Sequence, residues 1–330
     1  MKSKILLSMI CTLLILSMTG CGAKSENTLG TGTPKNVDSV VKAASSDQPF
    51  LTFKDMAGQD VILPKKPERI VILATETLDL FYQIGGKAVG RASAPGTPVS
   101  DAEKEAQDVG AINQVSVEKI ASLHPDLVIG QYYFNTGLKD TFSSSHVPFA
   151  LMKITSYEDV KQVAKIYGQI LGKESETDKA LKETDSRVQS IVSRVPGQSP
   201  TFAQVTIMPM GVYIQKGGST AVDIASRLKL KNVAEGMISG EMPDYVPFSL
   251  EKLVETNPDY LFMTVHGTEE FGRKKLKDDM ESNPAWASLR AVKEKKIYFL
   301  PSDIEKTPGL NLDTSFENMA KLAYPDIFGN

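Results

Sequence analysis

Cysteine and histidine are scarce: 330 residues contain two of the first and three of the second. That scarcity excludes a disulfide-stapled scaffold and a cysteine-built zinc site, and it argues against a histidine-rich metal cage. Neither charge sign dominates, since 37 Lys and Arg against 40 Asp and Glu leave a net charge of −3. A sequence-independent nucleic-acid binder needs a basic face to displace counterions, so no nucleic-acid partner is expected. Catalytic signatures are missing as well: there is no Gly-x-Ser-x-Gly elbow, no His-Glu-x-x-His pair and no Walker loop. Gly30-Thr31-Gly32 is only a fragment of a phosphate-loop pattern in polar, low-complexity sequence.

What is present begins with an ordinary globular composition, 41% hydrophobic and 23% charged, long enough for two domains. The N-terminus is different. Lys2 and Lys4 precede an apolar run from Ile5 to Met18, followed by Thr19, Gly20 and Cys21. This is the order of a secretory signal peptide, with an apolar run too short to span a membrane comfortably. Met18-Thr19-Gly20-Cys21 resembles a bacterial lipobox, whose cysteine is acylated as the first mature residue. Residues 1–20 are therefore predicted as signal peptide, with Cys21 lipidated and the chain extracytoplasmic, held to the cell membrane by its N-terminal lipid. Cys11 would leave with the signal, so a cysteine nucleophile is excluded from the mature chain. Ser, Thr, Gly, Lys and Asn dominate the stretch up to Gln48, so residues 21–49 read as a flexible tether.

An internal repeat then sets the architecture. Val115-Ser-Val-Glu-Lys-Ile-Ala-Ser-Leu-His-Pro-Asp-Leu-Val-Ile-Gly130 matches Phe248-Ser-Leu-Glu-Lys-Leu-Val-Glu-Thr-Asn-Pro-Asp-Tyr-Leu-Phe-Met263. In each copy Ser116 or Ser249 is a natural N-cap, Glu118 or Glu251 sits in the first turn, and Pro125 or Pro258 ends the helix before an apolar strand. Two such copies imply two similar α/β lobes. Ser175 to Val195 runs without Gly or Pro and places Leu181, Val188, Ile191 and Val192 on one face, a long helix between the lobes. The predicted fold class is α/β: two Rossmann-like lobes with mostly parallel sheets, at residues 50–173 and 196–330. One long α-helix over 174–195 joins them, and the ligand cleft lies between them.

Phe53-Lys-Asp-Met-Ala-Gly-Gln-Asp-Val-Ile-Leu-Pro-Lys-Lys-Pro-Glu-Arg-Ile-Val-Ile-Leu73 resembles the opening of the iron-complex and cobalamin substrate-binding proteins of ABC importers. The paired Ser-x-Glu-Lys…Pro-Asp segments, the central helix and Trp286-Ala-Ser-Leu-Arg-Ala-Val-Lys-Glu-Lys-Lys-Ile-Tyr-Phe299 are similar to the same family over about Phe50 to Phe328. The resemblance implies a monomeric bilobed receptor, not an enzyme, with no intrinsic cofactor. Its cargo would be a ferric siderophore or haem, and its partner an ABC permease with its ATPase. A cobalamin receptor of the same fold is the alternative; a bare-metal receptor and an extracytoplasmic enzyme are the more distant ones.

Ligands of open α/β sheets bind beyond the carboxyl ends of the strands. By that rule the candidate ligand-binding residues are Thr75, Arg91, Asn113, Gln131, Tyr132, Tyr133, Met210 and His266. Tyr132 and Tyr133 are adjacent, so on an extended segment one packs and the other reaches the cleft. Arg91 suits an anionic complex or, equally, a lobe-surface ion pair. His124 precedes its strand and His146 lies in a serine-rich turn, which leaves His266 as the one credible ligand of the three. Val265-His266-Gly267 resembles the His-Gly setting of the family's haem receptors. His266 would on that ground bind iron if the cargo is haem, with cleft hydrogen bonding or plain loop exposure as equal alternatives. The methionine that haem receptors of this family carry in the first-lobe loop is not evident: Ile112 and Asn113 stand there. The family's acidic docking residues for permease arginines are matched by Glu103 or Glu105 in the first lobe and Glu235 or Glu241 in the second.

Overall fold

Consecutive apolar residues on a strand bury well only when the sheet is covered on both faces. The computed structural model, which describes residues 48–301, 304, 306 and 308–329, shows this arrangement twice. The signal segment, Cys21 and nearly all of the tether lie outside the described residues.

An antiparallel hairpin of β1 (Leu51–Lys54) and β2 (Asp60–Leu63) comes first. The sequence patterning did not predict it as a separate element. The buried Asp55 carboxylate ties its turn together by accepting from the backbone N–H of Ala57 and Gln59, each at 2.9 Å, and docks it by accepting from Leu151 N–H at 3.0 Å. The first lobe continues with β3 (Ile70–Ile72), α1 (Thr75–Gln83), β4 (Ala88–Ser93), β5 (Gln107–Ala111) and β6 (Gln114–Val115). It closes with α2 (Val117–Ser122), β7 (Leu127–Gln131), α3 (Lys139–Ser144) and β8 (Phe149–Met152). Strand order is β6-β5-β4-β3-β7-β8, and only the β5–β6 pair is antiparallel.

The chain crosses to the second sheet through α4 (Tyr157–Leu171) and α5 (Glu174–Ser193). Ser156 caps the first of these by accepting from Asp159 N–H, and Gly172 ends it in the left-handed conformation. The second lobe contains β9 (Thr201–Met208), β10 (Gly211–Gln215), α6 (Thr220–Arg227), β11 (Lys231–Asn232) and β12 (Tyr245–Pro247). Then follow α7 (Leu250–Thr256), β13 (Tyr260–Val265), α8 (Glu269–Leu276), α9 (Arg290–Lys293), β14 (Ile297–Phe299), α10 (Leu312–Ala323) and α11 (Pro325–Phe328). Strand order is β12-β10-β9-β13-β14, with β11 also beside β9; β9, β11, β13 and β14 are parallel, while β10 is antiparallel to β9 and to β12.

The repeat is structural as well as sequential. Ser116 accepts from Lys119 N–H at the start of α2, and Ser249 accepts from Lys252 N–H at the start of α7. His124 and Asn257, matched in the repeat, both adopt positive φ, 45° and 40°. Asp126 then accepts from the backbone N–H of Glu68 and Arg69, at 2.9 and 2.8 Å, just before β3. Asp259 accepts from Thr201 N–H and Oγ1–H, both at 2.8 Å, at the first residue of β9. Each lobe therefore pins the entry of its central strand with the carboxylate that precedes the neighbouring parallel strand.

Strand alternation sorts the cores. Ile70 and Ile72 of β3 and Phe202 of β9 join one continuous cluster that also contains Tyr167 of α4, Leu181 of α5, Ile224 of α6 and Phe316 of α10. Val71 and Leu73 face a second cluster beneath α2 and α3, and Ala203, Val205 and Ile207 a third around Trp286. One shared core thus runs through the helices joining the lobes, which makes the joint stiffer than a flexible linker and restricts relative motion.

Candidate ligand cleft

β3, β4 and β7 end at one rim of the first sheet, and β9 and β13 at a rim of the second. Gln131, the last residue of β7, is buried and uses its side chain in both directions. Its Nε2 donates to Glu76 Oε1 at 3.2 Å, while its Oε1 accepts from the backbone N–H of Tyr133 and Phe134 at 2.6 and 3.0 Å. Glu76 occupies the first turn of α1. It retains some solvent contact, yet protein closely surrounds its carboxyl group and burial raises its pKa to about 7, against its own backbone hydrogen bond and that from Gln131.

The predicted extended Tyr132–Tyr133 segment is instead a turn, because Asn135 N–H bonds back to Gln131 O at 2.9 Å and Asn135 Oδ1 accepts from Gln131 N–H at 2.8 Å. Tyr132 is half-buried, with Lys153 Nζ 5.0 Å from its ring centroid, whereas Tyr133 and Phe134 are 55% and 56% exposed. Burial raises the Tyr133 phenol pKa first, with the negative field of Asp244 behind it and smaller contributions from Tyr132, Asp159 and Glu76. Asp244 belongs to the second lobe, so the field of that lobe reaches Tyr133.

The two rims meet directly elsewhere. Lys306 Nζ donates to Gly96 O, beyond β4, at 2.9 Å and to Gly267 O, beyond β13, at 3.0 Å. A Cβ on Gly96 would lie 1.9 Å from Gly267 O, and Gly96 has φ +73°, so only glycine fits this approach. His266 stands beside it. Much of its surface is open, but the atoms packed round the ring desolvate it and lower its pKa, and Lys306 adds to the effect. The direction favours a neutral imidazole, which has a free nitrogen lone pair.

Other sequence candidates fall elsewhere. Thr75 is buried as the first residue of α1, and its neighbour Glu76 is the one that reaches Gln131. Arg91 points along its own sheet: its Nε donates to Glu103 O at 3.2 Å and its Nη1 pairs with Asp108 at 3.4 Å, which makes it a lobe-surface ion pair. Asn113 is exposed in the turn between β5 and β6. Met210 is 74% exposed in the β9–β10 turn, while Met208 is core. Among the docking candidates, Glu103 is corrected. It is only 3% exposed and its carboxylate accepts from Ser100 N–H at 2.6 Å, so it offers no free charge, whereas Glu105, Glu235 and Glu241 are exposed. Among the described residues, no three His, Cys, Asp or Glu side chains group to hold a metal ion. The strand-end rule reaches Glu76 together with Thr75, whereas sequence reading missed Asp244 and Lys306, which no local signal marks.

Residues 70–304 match the family model described as periplasmic binding protein. An uncharacterised ABC transporter substrate-binding lipoprotein of Bacillus subtilis, YvrC, is 25% identical over 91% of this chain and 93% of its own. The iron-uptake system-binding protein of the same organism is 24% identical over 89% of this chain and 90% of its own. The crystal structure of Staphylococcus aureus IsdE complexed with heme superposes with a TM-score of 0.68 at 17% identity, covering 78% of this chain and 98% of that one, a likeness of fold.

Proposed function

The chain belongs to the periplasmic binding protein family, and on that premise we propose that it is a lipid-anchored extracytoplasmic receptor for a ferric iron complex, a siderophore or haem, which it delivers to an ABC permease. In this reading residues 50–173 and 196–330 are the gripping lobes, 174–195 the connector, and Cys21 the anchor. The observation that carries it is the meeting of two strand-end rims, Gly96 against Gly267, with Tyr133 and Phe134 displayed on the first-lobe rim. Exposed aromatic rings stack on planar chelators or porphyrin. The iron-uptake system-binding protein, as named, supports the cargo class, and relatives named as lipoproteins support the anchor. Exposed Glu105, Glu235 and Glu241 would meet permease arginines. Intrinsic fluorescence of the purified protein should be quenched saturably by at least one of a panel of ferric siderophores, haem and cobalamin. Silence across that panel removes the proposal.

Haem is favoured by one specific observation, the strand-end His266 whose surroundings keep its imidazole neutral. A haem complex is expected to show a Soret band that shifts in His266→Ala; an unchanged spectrum takes His266 off the iron.

A further inference from the structure

Among the described residues, Lys306 stands at the cleft without a carboxylate partner. Its ammonium bonds one carbonyl from each lobe, Gly96 O and Gly267 O, so it must lie where the two rims face each other. Two of its three N–H groups are thereby taken, leaving one. Its surroundings strip part of its water, which lowers its pKa, and Glu269 is the acid that opposes this. Glu269 is already engaged, since its Oε1 accepts from Arg273 Nε at 2.7 Å. Among the described residues no carboxylate lies within ion-pair distance of Lys306. A partly desolvated ammonium without an anion is costly, and it gains most from a ligand that brings one. Arg91, the first-lobe cation read from the sequence as a ligand group, is spent on Asp108. The acidic groups Asp244, Asp159 and Glu76 instead act through their negative field on Tyr133.

We infer that Lys306 is the specificity-determining residue of the cleft: its free N–H receives an anionic oxygen of the cargo, and the cleft selects ferric complexes carrying negative charge. The negative field at Tyr133 orients such a cargo with its anion toward Gly96, Gly267 and Lys306. This rests on the receptor reading above, and its test separates the two. Cationic ferrioxamine B and its neutral N-acetyl and anionic N-succinyl derivatives keep one iron centre and change only charge; ferric citrate and haem extend the anionic set. Binding to wild type, Lys306→Met and Lys306→Arg is measured by fluorescence quenching. Wild type is expected to prefer the anionic ligands. Lys306→Met should lose about tenfold or more on them and about twofold or less on the neutral one, while Lys306→Arg retains the preference. Equal affinity across the three charge states, a preference for the cationic ligand, or full anion affinity in a folded Lys306→Met overturns the inference and leaves the receptor standing. If Lys306→Met does not fold, the wild-type charge series decides alone. Binding of no ferric complex by wild type removes both readings.

Discussion

Gln131 and Glu76 meet at the ends of the paired strands β3 and β7: Gln131 Nε2 donates to Glu76 Oε1 at 3.2 Å while its own oxygen holds the Tyr133 turn. A change at Glu76 is therefore passed to the exposed tyrosine through one amide side chain.

The pH dependence follows from the same carboxyl group. Its pKa rises from 4.5 to about 7 on folding, so the folded state binds a proton more tightly than the unfolded chain. Stability must then fall as pH climbs from about 4.5 to about 7, and the loss stays constant above that. Glu76→Gln keeps an acceptor for Gln131 and cannot ionise. It should match wild type at pH 4 and exceed it above pH 7 by on the order of 3 kcal/mol, measured by chemical denaturation. An identical pH profile in the two proteins would contradict this.

Asp126 and Asp259 pin the entries of β3 and β9 in the same way, and their removal should cost alike. Asp126→Ala strands two backbone N–H groups and Asp259→Ala strands one N–H and the Thr201 hydroxyl, and each is expected to destabilise by about 1–3 kcal/mol. Asp259→Ala should be the worse of the pair, because Arg290 also loses its partner. Urea midpoints measure both, and a change under about 0.5 kcal/mol in either would dissolve the equivalence.

Arg91 and Tyr133 separate stability from binding. Arg91→Ala removes a mostly buried side chain that holds the β4–β5 connection and should cost about 1–2 kcal/mol with cargo affinity unchanged. Tyr133→Ala, at an exposed turn, should leave stability within about 0.5 kcal/mol and weaken aromatic-cargo binding by about tenfold. The reverse pattern would return Arg91 to the cleft.

Gly96→Ala places a methyl group against Gly267 O at a positive φ. It should destabilise by at least about 1–2 kcal/mol and widen the rim, visible as a larger radius of gyration in solution scattering. Gly137→Ala, where nothing lies within 4 Å of the added carbon, is the matched control. Equal scattering from all three proteins would show that the rims do not meet in solution.

The parts legible beforehand are those decided by neighbours in the chain. Helix α4 runs from Tyr157 to Leu171 because Ser156 caps it and Gly172 stops it, both local signals. The repeat showed its serine caps for the same reason. Strand direction was harder: β10 runs antiparallel to β9, a consequence of the short turn through Met210 that β-propensity alone does not reveal. Tyr132 and Tyr133 read as extended because the closing bond from Asn135 depends on a turn geometry the residue types do not dictate.

By itself the sequence determined two repeated helix–strand units, their caps and the long joining helix, since backbone satisfaction and apolar periodicity act over a few residues. Only the tertiary structure decided which polar side chains are spent and which are left over. Arg91 and Glu103 look as available in the chain as Glu76 and Lys306; folding pairs the first two within their lobe and carries the others to a rim, where partners far apart in sequence meet. Burial and pairing are properties of that assembled surface, so no local pattern encodes them.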